Sequence, residues 1–130
     1  MTPQPTPTAI RLLGALLVAG VLTPWPALAQ GDVAAGKALY DRRCFGCHGD
    51  AKTRNTQGPS LVGVVGRMAG TAGGGATSRA LTESGIVWNE ASLQQFLAEP
   101  GDKVHGTIMP VGTQRPQDRD DLIAYLKTLR

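Results

Sequence analysis

The only two cysteines of this 130-residue chain, Cys44 and Cys47, are separated by two residues, and His48 follows the second at once. No other feature restricts the fold so strongly. Two thiols on adjacent turns can each form a thioether to a vinyl group of one haem. A histidine directly after the second thiol then lies under the ring, within reach of the iron as proximal ligand. Competing chemistries fit poorly. A zinc site needs four protein ligands, or three and a water, and no further cysteine exists; His48 and His105 could complete a two-cysteine, two-histidine set only with His48 beside Cys47, which is not the usual spacing. A thioredoxin-like dithiol would accompany a βαβ pattern, which is absent. The motif therefore predicts one haem c, attached covalently through Cys44 and Cys47.

The first 29 residues read as a secretory signal peptide. Arg11 is the only charged side chain before Asp32, an apolar run spans residues 12–22, and Ala27-Leu28-Ala29 offers a small-x-small cleavage site before Gln30. The run is too short for a bilayer, which takes about 20 apolar residues; an uncleaved anchor is the alternative. Residues 30–130 then form one domain, exported to the periplasm of a Gram-negative bacterium. That domain has five aromatics (Tyr40, Phe45, Trp88, Phe96 and Tyr125) among 25 large apolar side chains, with 15 glycines. So small and glycine-rich a chain needs a cofactor, metal or disulfide to complete its core. Its formal charge of +2, without a Lys/Arg run of five, excludes a nucleic-acid binder. No stable membrane insertion is expected of the mature chain.

Three main helices are predicted, joined by long loops, in an all-α domain. The first is capped by Asp32 and runs to about Cys44, with Val33, Gly36, Lys37 and Tyr40 on one face and Gly36 leaving room for another helix. The second starts after Asn89, carries Leu93, Phe96 and Leu97 on one side, and ends at Pro100. The third runs from about Pro116 to Leu129, with an apolar stripe of Leu122, Tyr125, Leu126 and Leu129. Asp118, Asp120 and Asp121 in its first turns, and Lys127 and Arg130 in its last, suit its dipole. A shorter helical turn is expected between Ser78 and Gly85. The loop from Gly49 to Thr77 has little pattern of its own, and loops of that length in small domains usually wrap something functional.

Six-coordinate iron needs a ligand on its far side. Met109 leads, because Gly106-Thr107-Ile108-Met109-Pro110 is an irregular stretch that could bring a thioether onto the metal. His105 and an open site are alternatives, and Met68 is read as a loop or packing residue. His/Met ligation raises the potential relative to bis-histidine and closes the iron to other ligands, which leaves outer-sphere electron transfer.

The order and spacing of further residues resemble the class I c-type cytochromes, close to the mitochondrial and alphaproteobacterial branch. The match runs through Gly31-Asp32-Val33, Gly36-Lys37, Tyr40, the Cys44–His48 motif, Gly58-Pro59-Ser60-Leu61, Gly63, Gly66-Arg67, Gly85-Ile86-Val87-Trp88, Leu93, Pro100, Gly106-Thr107, Met109 and 121–127. The resemblance implies that the Pro59 carbonyl accepts the Nδ1 hydrogen bond of His48. It also implies that Arg67 and Trp88 hydrogen-bond a buried haem propionate, and that Gly36, Tyr40, Leu122 and Tyr125 form the crossing of the first and last helices. A solvated Arg67 and a Trp88 that is plain core are the simpler alternatives. The chain departs from the family at several places. Phe96 stands where many relatives have a tyrosine bonded to the methionine sulfur. Thr77 replaces a propionate-binding tyrosine, Gly75 a common aromatic and His105 a common proline. Gly101, Asp102 and Ile108 occupy positions of the usual lysine ring, leaving Arg42, Arg43, Lys52, Arg54 and Lys103 as a weaker basic face.

The expected function is a monohaem carrier, not an enzyme, shuttling single electrons from a donor dehydrogenase or cytochrome complex to an oxidase or reductase. It is read as a monomer or part of a small hetero-complex. A dedicated cytochrome subunit of a periplasmic dehydrogenase is the second reading. A haem enzyme or ligand sensor with a labile sixth site is the third.

Overall fold

The computed structural model describes residues 1–2, 30–50 and 56–130. The predicted export signal, from residue 3 on, lies outside the described residues, as do Lys52 and Arg54. Among the described residues six helices follow one another: α1 (Val33–Arg43), α2 (Phe45–His48), α3 (Arg79–Glu83), α4 (Glu90–Ala98), α5 (Pro100–Lys103) and α6 (Pro116–Leu126). Among the described residues the sole β feature is an isolated antiparallel bridge between Met68 and Val87. The all-α expectation holds, with α1, α4 and α6 as the three main helices.

The first and last helices cross at a glycine. Asp32 caps α1 by accepting from the Ala34 and Ala35 amides at 2.7 and 3.0 Å. One turn on, a Cβ on Gly36 would stand 1.9 Å from the Asp121 carbonyl oxygen, so only a hydrogen fits between the backbones. The crossing is pinned by the buried Asp121 carboxylate, which accepts from the Asp32 amide at 2.8 Å and from Gln117 at 2.9 Å. Asp121 is thus a core residue as much as a dipole partner. Tyr40 packs on Tyr125 with ring centroids 5.2 Å apart. Of the four residues predicted to share the α1 face, only Gly36 and Tyr40 are buried. Val33 is 46% exposed and Lys37 pairs with Asp41 in solvent, because the close crossing leaves a contact strip too narrow for all four.

Helix α4 starts with a reciprocal cap, in which the Asn89 side chain takes the Ser92 amide and the Ser92 hydroxyl takes the Asn89 amide, each at 2.9 Å. Leu93, Phe96 and Leu97 are buried as predicted. Pro100 does more than end this helix. At the first position of α5 its missing N–H costs nothing, so it opens a new turn. Helix α6 stops at Leu126, three residues short of the prediction. The amides of Thr128 and Leu129 bond three residues back, to Tyr125 and Leu126, and the Leu129 carbonyl accepts from Gly63 at 2.7 Å. That bond draws the chain end off the helix axis. Lys127, which caps α6, and Arg130 therefore lie beyond its last turn.

The buried side chains of α1, α4, α6 and the 61–69 loop (Tyr40, Val64, Leu93, Phe96, Leu97, Leu122 and Leu126 among them) do not close into a solid core. They wall an open, largely apolar cleft.

Candidate functional site

His48 projects into this cleft from α2, a single helical turn started by the cysteine motif itself. The His48 and Gly49 amides bond back to Cys44 and Phe45, so the backbone that spaces the two thiols also sets the ring. Gly49 reverses the chain at a φ of 61°, and its carbonyl accepts from the buried Tyr40 hydroxyl at 2.6 Å. Burial holds the Tyr40 phenol well above its ordinary range, which keeps it a donor. The chain then returns beside the imidazole. A Cβ on Gly58 would lie 2.8 Å from His48 Cε1, and the Pro59 carbonyl oxygen is 2.8 Å from His48 Nδ1. A carbonyl only accepts, so Nδ1 carries the proton and Nε2 presents its lone pair.

Cys44 lines the cleft and is partly buried, and burial pushes its thiol up; Cys47 is exposed. Cys47 Sγ lies 3.6 Å from Gln57 Oε1, a neighbour that the motif alone does not reveal.

Arg67 and Trp88 are brought to one wall by paired backbone. The Trp88 amide donates to Arg67 O at 2.9 Å and the Gly66 amide to Trp88 O at 2.7 Å, on one side of the Met68–Val87 bridge, and the Ala69 amide donates to Ile86 O at 2.7 Å on the other. Trp88 is buried against Phe96, with centroids 5.0 Å apart. The Arg67 guanidinium donates to the carbonyls of Val62 and Ser60 at 2.6 and 2.7 Å. Burial lowers its pKa, so the cation is held against neutral oxygens in a place that disfavours charge. On the same cleft the Thr77 hydroxyl is buried with no hydrogen-bond partner. An unmatched cation and an orphaned donor on one apolar cleft fit a ligand that is an apolar disc with an anionic rim. Haem, with its carboxylate side chains, is such a ligand. His48, Met109, Cys44, Pro59, Arg67 and Trp88 all line the cleft, and Cys47 lines its mouth.

Of the three candidates for the sixth ligand, Met109 alone lines the cleft. Met68 is 52% exposed and His105 is exposed, and neither borders it. Leu81, Phe96 and Ile108 line the same cleft. At the mouth, Ile108 and Val111 expose apolar surface beside Arg43. The basic face keeps Arg43, which donates to Gly112 O at 2.9 Å, and Lys103, which donates to Gln95 at 2.5 Å; both serve neutral acceptors.

Comparison with known proteins agrees with this geometry. The Cytochrome c family model matches residues 33–130. A cytochrome c of Euglena viridis is 45% identical over 101 residues, covering 77% of this chain and 99% of that protein. A cytochrome c2 of Rhodopila globiformis is 46% identical over 101 residues, covering 77% and 95%. The solved structure of cytochrome cH from Methylobacterium extorquens superposes with a TM-score of 0.69 at 48% identity, covering 75% of this chain and 99% of that one. The chain belongs to the cytochrome c family: it is a class I c-type cytochrome, a monohaem electron carrier with one haem c attached through its C-x-x-C-H motif.

Proposed function

We propose that this cytochrome shuttles single electrons between redox proteins of the periplasm, with His48 and Met109 as axial ligands and residues 1–29 removed on export. The single observation that carries the ligand assignment is the position of Met109, which shares the cleft lining with His48 while Met68 and His105 lie outside it. When bound, haem c supplies a one-electron iron couple. The protein's contribution is in the residues around it. Pro59 holds the His48 tautomer through Nδ1, which orients Nε2 and raises its basicity. Met109 is a soft, weak donor that favours the reduced state and occupies the sixth position, so no substrate competes there. Leu81, Leu93, Phe96 and Trp88 give the cleft an apolar lining. Arg67, Trp88 and Thr77 face the anionic rim.

The ligand assignment is tested by the long-wavelength Fe–S(Met) charge-transfer band of the oxidised protein. Wild type is expected to show it and Met109→Ala to lose it, with a fall in potential that takes a good part of the roughly 0.8 V axial ligands span. A wild type without the band overturns the assignment. Mass spectrometry of the secreted protein tests export: a chain starting at Gln30 with one haem added is expected, and an intact Met1 end contradicts cleavage.

A second reading concerns the partner. The exposed Ile108 and Val111 at the cleft mouth suit a dedicated cytochrome subunit of a periplasmic dehydrogenase, since a fixed partner needs less long-range steering. Co-purification with a dehydrogenase supports it, and recovery only as free monomer opposes it.

A further inference from the structure

The segment that carries Met109 is fastened unevenly. Its tip is held locally: the Thr107 amide donates to Val104 O at 3.0 Å, and the Met109 amide reaches Thr107 Oγ1 at 3.4 Å. Its C-terminal stem is held by distant elements. The buried Thr113 donates through its amide to Leu97 O at 2.6 Å, and Gln114 Nε2 donates to Glu99 at 2.6 Å. The Gly112 carbonyl takes Arg43. The next two carbonyls go to one side chain. Arg119 Nη1 donates to Thr113 O at 2.8 Å and to Gln114 O at 2.7 Å. Its Nε donates to Gln94 Oε1 at 2.8 Å, and the Gln94 amide in turn bonds Asp120.

The chemistry of this arrangement is specific. Among the described residues no carboxylate forms an ion pair with Arg119. Its planar fork is spent on two consecutive carbonyls and one amide oxygen, so it spans the start of α6, the end of the methionine loop and the middle of α4. A lysine in its place would be a point donor and could not hold all three acceptors in one plane. Pro116 stands two residues beyond Gln114, and its fixed φ stiffens the same join.

We propose that Arg119, set by Gln94, is a positioning residue for the iron site: it clamps the stem four to five residues beyond Met109 and so limits how far the thioether withdraws from the cleft. This rests on Met109 being the sixth ligand. The clamp governs a local opening, because Thr113 N–H on Leu97 and the α1–α6 crossing remain when it is removed. A ligand that enters only after methionine leaves binds with an affinity scaled by the open fraction, which converts the clamp into a measurable constant.

The test is an imidazole titration of the oxidised, full-length holoprotein, with loss of the Fe–S(Met) band as the signal. Arg119→Met is expected to tighten apparent imidazole binding about tenfold, and Gln94→Met by a smaller factor. In the Gln94→Met background the Arg119 change should add less than it does alone, because the two residues act as one unit. Arg119→Lys should recover part of the wild-type affinity. Arg115→Gln removes a neighbouring, exposed cation paired with Asp118 and should change nothing, which separates positioning from net charge. Denaturant unfolding of the same reduced proteins separates it from global stability. The proposal is overturned if imidazole affinity stays within twofold in both Arg119→Met and Gln94→Met, or if the tightening only tracks the global unfolding midpoint. Gln94→Met decides the matter should Arg119→Met fail to accumulate. A wild type that takes imidazole with no such band to lose overturns the ligand assignment itself, and the clamp with it. A band present but unmoved by the variants overturns the clamp alone.

Discussion

The two walls that face each other across the cleft are built on different principles. On the His48 wall everything is near in sequence: the thiols, the imidazole, and the Gly58-Pro59 pair that returns within eleven residues. On the Met109 wall the proposed ligand rides a loop whose fixed points come from α1, α4 and α6. The first wall is stiff because its own backbone leaves it no freedom. The second is as stiff as the distant elements that hold it. With Met109 as the proposed sixth ligand, the difference teaches where exchange at the iron would start: on the methionine side, by local opening.

The largest expected effect removes the foundation under both walls. Gly36→Val puts a side chain where the Asp121 carbonyl lies, and should cost at least about 3 kcal/mol, the upper range of overpacking, read as a collapse in holoprotein yield and in the denaturant midpoint. Normal yield would show that the crossing yields more than its geometry allows. Next is Gly58→Ala on the histidine wall. The imidazole is held between its motif and Pro59 and cannot give way, so about 2 kcal/mol is expected, together with a shifted potential while the Fe–S(Met) band persists. Third is Gly112→Ala on the methionine wall, where a Cβ would stand 2.6 Å from the Ala98 carbonyl oxygen. The loop can move, so about 1 kcal/mol is expected, but the band should weaken. Equal effects of these two alanines on the band would erase the contrast between the walls. Smallest is Thr77→Val. If its hydroxyl serves a propionate, the reduced holoprotein loses about 0.5–1.5 kcal/mol with the band unchanged; a more stable valine variant would mean that no anion reaches it.

The same contrast decided what could be read from the sequence. The Cys44–His48 motif, the Asp32 and Asn89 caps, the glycine at the helix crossing and the turn after Ser78 are local patterns with local causes, and all were legible. Pro59 was legible only through resemblance, because a carbonyl on an imidazole leaves no composition signal; the resemblance pointed Arg67 at a propionate, and its bonds to the Val62 and Ser60 carbonyls were not legible at all. Arg119 was invisible: an arginine among Asp118, Asp120 and Asp121 reads as one more charge on a solvated helix start. Its role depends on which carbonyls fall beside it once α4 and α6 have packed. The early end of α6 escaped for the same reason, since Gly63, which captures the Leu129 carbonyl, is 66 residues away in sequence.

The crossing of α1 and α6 also orders events in time. Asp32 and Asp121, whose bond pins it, are 89 residues apart, and ribosomal synthesis delivers the cysteine motif long before α6 exists. Until those last residues arrive, Gly36 and Tyr40 have nothing to close against. A chain in which that crossing has not closed leaves its thiols open to the attachment chemistry. Closing α6 against α1 joins the two ends of the domain and buries Tyr40 behind the cofactor cleft.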